Sequence, residues 1–444
     1  MQNQESVSLG GMGNKVRFAL NRLGERLWVK PLFSCVLSLF AVIAAGLADQ
    51  LVIFDNKLPH ISFQSLETLL SVMAASMLVI ATFAVGAMLS AFTSASDAAT
   101  PRTLSLVIAD DVSQNALSTF IGAFIFSIVG LVAHLNTLFE QQGTFVLFVL
   151  TLVVFAIVIL SFVRWVDRIA RLGRLGETIG KVENVLNNVL QSYARFPTLC
   201  TKQPDEEPTG TPVFSEHVGY VQQLDVKQLQ ELAEKNNCRI FVRALPGEFI
   251  SLAEPLVLVD TSEAALDEQL TSGIAQAFRV GRSRTFDEDP RFGMVVLSEI
   301  ASRALSPAVN DPGTAIDIIR TMVRLISKWA ITQQRSAEDG SQEQAVMYDR
   351  VFVPELSVRA LLDDAFSAIA RDGAGLREVT ACLQESFISL RLLGHEALDP
   401  AVIYHSEYAL GYALSSLCQQ GDLDHIRSLS EQAQAKDLRS SVVS

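Results

Sequence analysis

Four long apolar runs crowd into one third of this 444-residue chain, between Leu32 and Val163. They are "LFSCVLSLFAVIAAGLADQLVIF" (32–54), "LLSVMAASMLVIATFAVGAMLSAF" (69–92), "NALSTFIGAFIFSIVGLVAHL" (115–135) and "TFVLFVLTLVVFAIVILSFV" (144–163). Each is close to the roughly 20 residues that a helix needs to cross the hydrocarbon of a bilayer. Hydrocarbon offers no partner to a bare peptide N–H or C=O, so spanning segments of this kind are α-helices. The first run is read as a retained anchor and not a cleaved leader, because a long basic segment precedes it and three more runs follow. The expected fold is mostly α. A four-helix transmembrane region (32–163) follows a short N-terminal segment (1–31). After it comes a cytoplasmic α+β domain with a small α/β unit and a helical C-terminal part.

Basic residues orient the spans. Lys15, Arg17, Arg22, Arg26 and Lys30 precede the first, and Arg164, Arg168, Arg171 and Arg174 follow the fourth. The outer loops are short and carry one base, Lys57. Positive residues stay on the cytoplasmic side, so both termini are expected there. The loop between spans two and three holds Arg102 together with Asp97, Asp110 and Asp111, and its side follows only from the number of spans. Asp49 and His134 sit near span ends, and the midplanes hold no acid or base. Charges within a membrane usually mark proton relays, so a proton-driven carrier is not expected. Ser71, Ala75, Thr82, Gly86 and Ser90 of span two recur at helical spacing as one stripe of small residues. Such a stripe suits close helix packing or the lining of a polar pore.

Charge separates the two halves of the chain. Up to residue 199 there are 13 Lys/Arg against 12 Asp/Glu, and from Cys200 onward 22 against 36. A surface that acidic repels phosphate backbones, so no nucleic-acid partner is expected. Cys35, Cys200, Cys238, Cys382 and Cys418 form no CxxC pair, which excludes a disulfide scaffold or a zinc framework. The helical pattern continues through 164–199, where Ile179, Val182, Leu186, Val189 and Tyr193 make a seam of about two heptads. A coiled coil between subunits and packing on the chain's own domain both fit it. "TKQPDEEPTGTP" is expected as a linker over 200–212, with the soluble domain at 213–444.

In that domain "YVQQL" and "RIFVRAL" alternate as strands, and "DVKQLQELAEKNN" between them is a helix capped by Asp225. "PGEFI" is expected to turn the second strand back into a hairpin. From Ser262 the pattern is helical nearly to the end. Asp289-Pro290, Asp311-Pro312 and Asp399-Pro400 each read as an N-cap followed by a first-turn proline.

The stretch "GRSRTFDEDPRFGMVVLSEIASRALSPAVNDPGTA" (281–315) resembles a bacterial family of predicted membrane proteins known only as a domain of unknown function, number 2254. So do "SDAATPRTLSLVIADDVSQNALSTFIGAFIFSIVG" (96–130) and "GYVQQLD" with "PGEF". The resemblance runs from the first span to about residue 330. It implies a multi-pass protein of the inner membrane with a cytoplasmic domain. It implies no reaction, ligand, cofactor or catalytic residue.

The densest charged segment holds Arg282, Arg284, Asp287, Glu288, Asp289, Arg291, Glu299, Arg303, Asn310 and Asp311. Two helix N-termini with Arg282, Arg284 and Arg303 could hold a small anion or metabolite, and the acids could hold a divalent ion. Capping and ion pairs at a domain or subunit contact explain the same residues. His395, Glu396, His405 and Glu407 lack the HExxH spacing and are read as surface polar residues, not as a metal site. No catalytic residue is assigned. Two functions remain: a channel-like homo-oligomer in the lipid bilayer, and a membrane-anchored sensor or scaffold that binds an ion or anion. An enzyme is the least supported, since no nucleophile–base pair is visible.

Overall fold

The computed structural model describes residues 29–47, 61–104, 106, 110–171, 174–204, 207–261, 266–339 and 346–435. The chain forms two compact units, Met1–Thr178 and Ile179–Ser444.

The first unit contains α1 (Val29–Leu47), α2 (Phe63–Ala98), α3 (Asp111–Leu135) and α4 (Gln141–Ile169). All four are long and apolar enough to cross a membrane. They stand where the apolar runs predict helices. α2 is longer than its run, with 36 residues. Lys15, Arg17, Arg22, Arg26, Asp49 and Lys57 lie outside the described residues.

α3 is the hub and packs on α1, α2 and α4. Thirteen of its 25 residues are buried. Small side chains make that possible: Ala116, Ser118, Gly122, Ala123, Ser127 and Gly130 let three neighbours approach at once. Ser118 and Ser127 donate their hydroxyl protons back to the carbonyls of Gln114 and Ala123, so neither hydroxyl is left bare inside the bundle. Ser38 of α1 donates to the Gly122 carbonyl at 2.8 Å. A Cβ at Gly122 would stand 2.9 Å from that of Ser34. Gly122→Leu should therefore cost on the order of 1–3 kcal/mol by overpacking. Thermal unfolding of the full chain in detergent checks this, and an unchanged Tm would contradict the close α1–α3 approach. At the start of α3, Asp110 accepts from the Ser113 N–H and from Arg168 Nε at 2.8 Å. This ties the first turn of α3 to the last turn of α4.

The unit boundary falls within α5 (Leu175–Arg195). Val182, Leu186, Leu190 and Tyr193 are buried, and Leu186 lies against Gly293 of the same unit. The heptad-like seam is thus used within the chain. Beyond it come β1 (Thr201–Lys202), β2 (Thr211–Phe214), β3 (Gly219–Leu224), α6 (Val226–Lys235), β4 (Arg239–Val242), β5 (Phe249–Ile250), β6 (Pro255–Asp260), α7 (Glu268–Gln276) and β7 (Phe278–Gly281). The helical part begins with α8 (Phe292–Ala304) and α9 (Pro312–Glu338). After β8 (Tyr348–Phe352) it continues with α10 (Val358–Asp372), α11 (Arg377–Leu392), α12 (Leu398–Ser416) and α13 (Gln420–Gln434).

The strands make two sheets, β1-β8-β4-β6-β2 and β5-β3-β7. Leu229 and Ala233 of α6, Leu270 and Ile274 of α7, and Ile240, Val257, Val259 and Val351 of the larger sheet share one core. The segment expected as a linker contributes β1 and β2. β7 and β8 interrupt the stretch expected to be helical from Ser262. The expected hairpin of "RIFVRAL" with "PGEFI" does not form. β4 pairs with β6 over four residues, Arg239↔Asp260 to Val242↔Val257, while β5 joins β3. The turn is captured first: Gly247, at φ +95°, donates its N–H to Val221, and Glu248 accepts from the Val221 N–H.

The three Asp-Pro pairs behave differently. Asp311 caps α9 through the Thr314 N–H at 3.1 Å, as expected. Asp289 accepts from the N–H groups of Arg291 and Phe292, so α8 starts at Phe292, beyond Pro290. Asp399 is not a cap. α12 begins at Leu398 and holds Asp399 in its first turn.

Candidate functional site

On α2 the buried edge is Leu66, Leu70, Met73, Met77, Ala81, Ala84, Met88 and Ala95. At about 100° per residue the small-residue stripe falls nearly opposite that edge. Ser71 is half-buried, and Ala75, Thr82, Gly86 and Ser90 are exposed. A Cβ on Gly86 would meet nothing within 4 Å. The internal small-residue seam is the one on α3, and the α2 stripe lies opposite the edge that α2 buries in the first unit. Gln64, Thr68, Thr93 and Asp97 extend the stripe at the same spacing, all exposed. Sequence reasoning missed them because it bounded the span at Leu69 and Phe92. Thr68, Thr82 and Thr93 each donate to a carbonyl one turn back, which spends their protons and leaves small, uncharged acceptors facing outward.

The charged segment of the second unit does not converge. Arg284, Asp287 and Asp289 lie before the N-terminus of α8. Arg303, Asn310 and Asp311 lie at its C-terminal end, where the Asp311 N–H donates to the Ala304 carbonyl. The 13 residues of α8 put about 20 Å between the two groups. Asn310 adopts φ +49°, a left-handed conformation that asparagine tolerates better than most residues, and so makes the corner between α8 and α9. Asp311 is exposed, and its carboxylate accepts the N–H and the hydroxyl proton of Thr314. Arg282 and Arg303 are exposed.

The built feature is at the other end. Arg284 makes two bonds to Asp289, at 2.7 and 2.9 Å, and stacks over the Phe292 ring. Burial works against the Arg284 charge, but the Asp289 carboxylate outweighs it and raises the guanidinium above its ordinary value. Arg291 pairs with Asp364 of α10 at 2.6 Å.

Beside this pair opens a cavity of about 390 Å³, lined by Asn188, Ser192, Tyr193, Leu224, Asp287 and Glu288 among others. Glu288 Oε2 accepts the Leu224 N–H at 3.1 Å, and the Glu288 carbonyl accepts the Tyr193 hydroxyl at 3.2 Å. Burial, with help from Asp287 and Asp225 nearby, pushes the Glu288 carboxyl up to about 7. Burial likewise holds the Tyr193 phenol above its ordinary value. Glu288 was one of ten charged or polar residues noticed in the segment, and no local pattern set it apart. Its neighbours on α5 are about 95 positions away in sequence.

The histidines are corrected. His395 and His405 are buried, not surface residues. His395 Nε2 lies 2.9 Å from Gln333 Oε1, and His405 Nε2 lies 3.2 Å from Asp363 Oδ1. Glu396 and Glu407 remain exposed.

Residues 24–389 match the family described as "Predicted membrane protein (DUF2254)". The chain belongs to this family. The match reaches further toward the C-terminus than the resemblance legible by eye. The chain is also similar to the uncharacterized proteins Mb1321c of Mycobacterium bovis and Rv1290c of Mycobacterium tuberculosis. Each is 25% identical over 333 residues, which cover 71% of this chain. The matched region spans 62% of the length of these relatives. No solved structure matches the chain. Membership and the four apolar helices together make this a membrane protein of the DUF2254 family.

Proposed function

We propose that this DUF2254 protein is a channel-like homo-oligomer of the bacterial inner membrane, with both termini and the second unit on the cytoplasmic side. One observation carries the reading: Ala75, Thr82, Gly86 and Ser90 of the α2 stripe are exposed, and among the described residues a Cβ on Gly86 would meet nothing within 4 Å. The centre of the four-helix unit is filled by α3, so a polar path would run between copies and not within one. Small polar residues suit either water or close contact with a second α2 better than they suit lipid tails. Arg164, Arg168, Arg171 and Arg174 at the end of α4 support the cytoplasmic placement. The passing species would be a small ion, since the spans carry no titrating group near their midplanes to couple transport to protons.

Cysteines placed one at a time at Thr82, Gly86 and Ser90, in a chain freed of its native cysteines, test this. In proteoliposomes a membrane-impermeant thiol reagent should label all three and spare Val85, an exposed apolar residue about 60° away from the nearest of them, replaced in the same way. Planar bilayers holding the protein should conduct. Crosslinking between copies without labelling would replace the pore by a packed interface. Neither labelling nor crosslinking would mean that the stripe faces lipid, and the reading would fall.

The cavity beside Glu288 favours a second reading, a membrane-anchored sensor whose second unit takes a small ligand. A thermal-shift screen with divalent cations, phosphates and nucleotides addresses it, because a ligand that binds only the folded state raises Tm by mass action.

A further inference from the structure

We infer that the cavity beside Glu288 holds a small aliphatic amine as its ammonium ion, which rests on the sensor reading of that cavity. The cavity measures about 390 Å³. That falls in the range of small-molecule sites and is far more than one bare ion fills. Its lining belongs wholly to the second unit. Asn188 and Ser192 of α5, with Asp287 before α8, are exposed and form the rim. Val189, Tyr193, Leu224 and Val226 are buried and form a largely apolar floor.

The polar part of the lining is rich in acceptors. The carboxylates of Asp287 and Glu288, the amide oxygen of Asn188 and the hydroxyl oxygen of Ser192 all take hydrogen bonds. Among the described residues no lysine or arginine lines the cavity. The Leu224 N–H donates to Glu288 Oε2 at 3.1 Å, and the Gln223 side chain adds a second bond. Both donors are neutral, so the carboxylate keeps an unbalanced charge and part of its accepting capacity. Arg284 does not supply the missing charge, because Asp289 occupies it through two bonds.

Such a lining selects by charge and by shape. Two carboxylates without a base repel phosphates and other anions. A divalent ion needs several hard ligands converging on one point, and no group of three His, Cys, Asp or Glu side chains does so among the described residues. A neutral alcohol would cover the floor but leave the carboxylates without a counter-charge. An ammonium brings three charged donors to the acceptors, and its hydrocarbon tail covers the floor. One molecule thus meets both demands.

Calorimetric titration and thermal shift of the full chain, in nanodiscs of zwitterionic lipid at pH 7.5, test this with three four-carbon probes: butylamine, 1-butanol and butanoate. Butylamine should bind once per chain, and the other two should not bind. Glu288→Gln, which keeps an acceptor for the Leu224 N–H, should weaken butylamine by at least about tenfold, the usual worth of a hydrogen bond to a charged group. Ser192→Lys, at an exposed position of α5, brings a competing ammonium to the rim and should abolish binding. Butylamine that gives neither heat nor a rise in Tm, that binds Glu288→Gln as tightly as wild type, or that butanol matches would overturn the amine. Magnesium, phosphate or ATP that binds instead, and is lost in Ser192→Lys, would overturn the amine and leave the sensor reading standing. Silence from every probe would overturn both.

Discussion

Arg284→Ala should destabilise the second unit by about 3–5 kcal/mol, the usual cost of removing one partner of a buried ion pair. Only 3% of the Asp289 side chain and 16% of the Arg284 side chain are exposed. Alanine would leave the carboxylate buried beside Phe292 with no counter-charge. The same carboxylate also accepts the N–H groups of Arg291 and Phe292, so its disturbance spreads into the first turn of α8. Arg284→Lys keeps the charge but gives up the two-pronged geometry, and should lie between alanine and wild type. Gly247 closes the node from the other side. At φ +95°, any Cβ there would strike the Asp289 carboxylate. Gly247→Ala and Arg284→Ala therefore act on one group, and their combined cost should fall short of the sum. Denaturant unfolding followed by fluorescence of the buried Trp329 measures all three. An Arg284→Ala protein within about 1 kcal/mol of wild type would refute the assignment.

Glu288→Gln should have the opposite sign and depend on pH. The folded protein holds the Glu288 carboxyl near 7, above the ordinary 4.5. The folded state thus binds this proton more tightly than the unfolded chain does. The resulting stability is fully present below about pH 4.5 and is lost as pH rises through 7. Each tenfold difference in proton affinity corresponds to about 1.4 kcal/mol, and partial exposure to water trims the total to about 2–3 kcal/mol at pH 8. Glutamine carries no charge to remove. The variant should match wild type near pH 5 and exceed it by that amount at pH 8. Equal pH slopes in paired unfolding curves would show that Glu288 ionises freely in the folded protein.

Particular residues show where reading the chain alone succeeded. Asp225 and Asp311 cap the helices that their positions announce, because a cap is settled within four residues. Asp399-Pro400 carries the same local signal, yet α12 starts before it, with Leu398 buried in the core. β4 and β5 are adjacent in sequence and looked like a hairpin. The partner that β4 takes is β6, which offers twice the paired length. The buried histidines misled for a related reason: His405 sits seven residues into a helix whose inner face is set by packing on α10, α11 and α13.

The small-residue stripes make the point most sharply. α2 and α3 both carry one, and composition does not rank them. α3 is the hub because α1, α2 and α4 all close on it, and α2 is left with its stripe outward. Glu288 and Tyr193 likewise meet only because α5 folds back on the β3–α6 corner.

The sequence by itself determined that four helices lie in the N-terminal third, that a small α/β unit precedes a helical C-terminal part, and where the helices capped by Asp225 and Asp311 begin. Those properties follow from apolar length, periodicity and capping, which are local. The tertiary structure alone decided which helix is central, which face of α2 is bare, which strands pair and which acid is held near neutrality. Each of these depends on side chains brought together from distant positions, and a linear pattern records a residue's own chemistry but not its eventual neighbours.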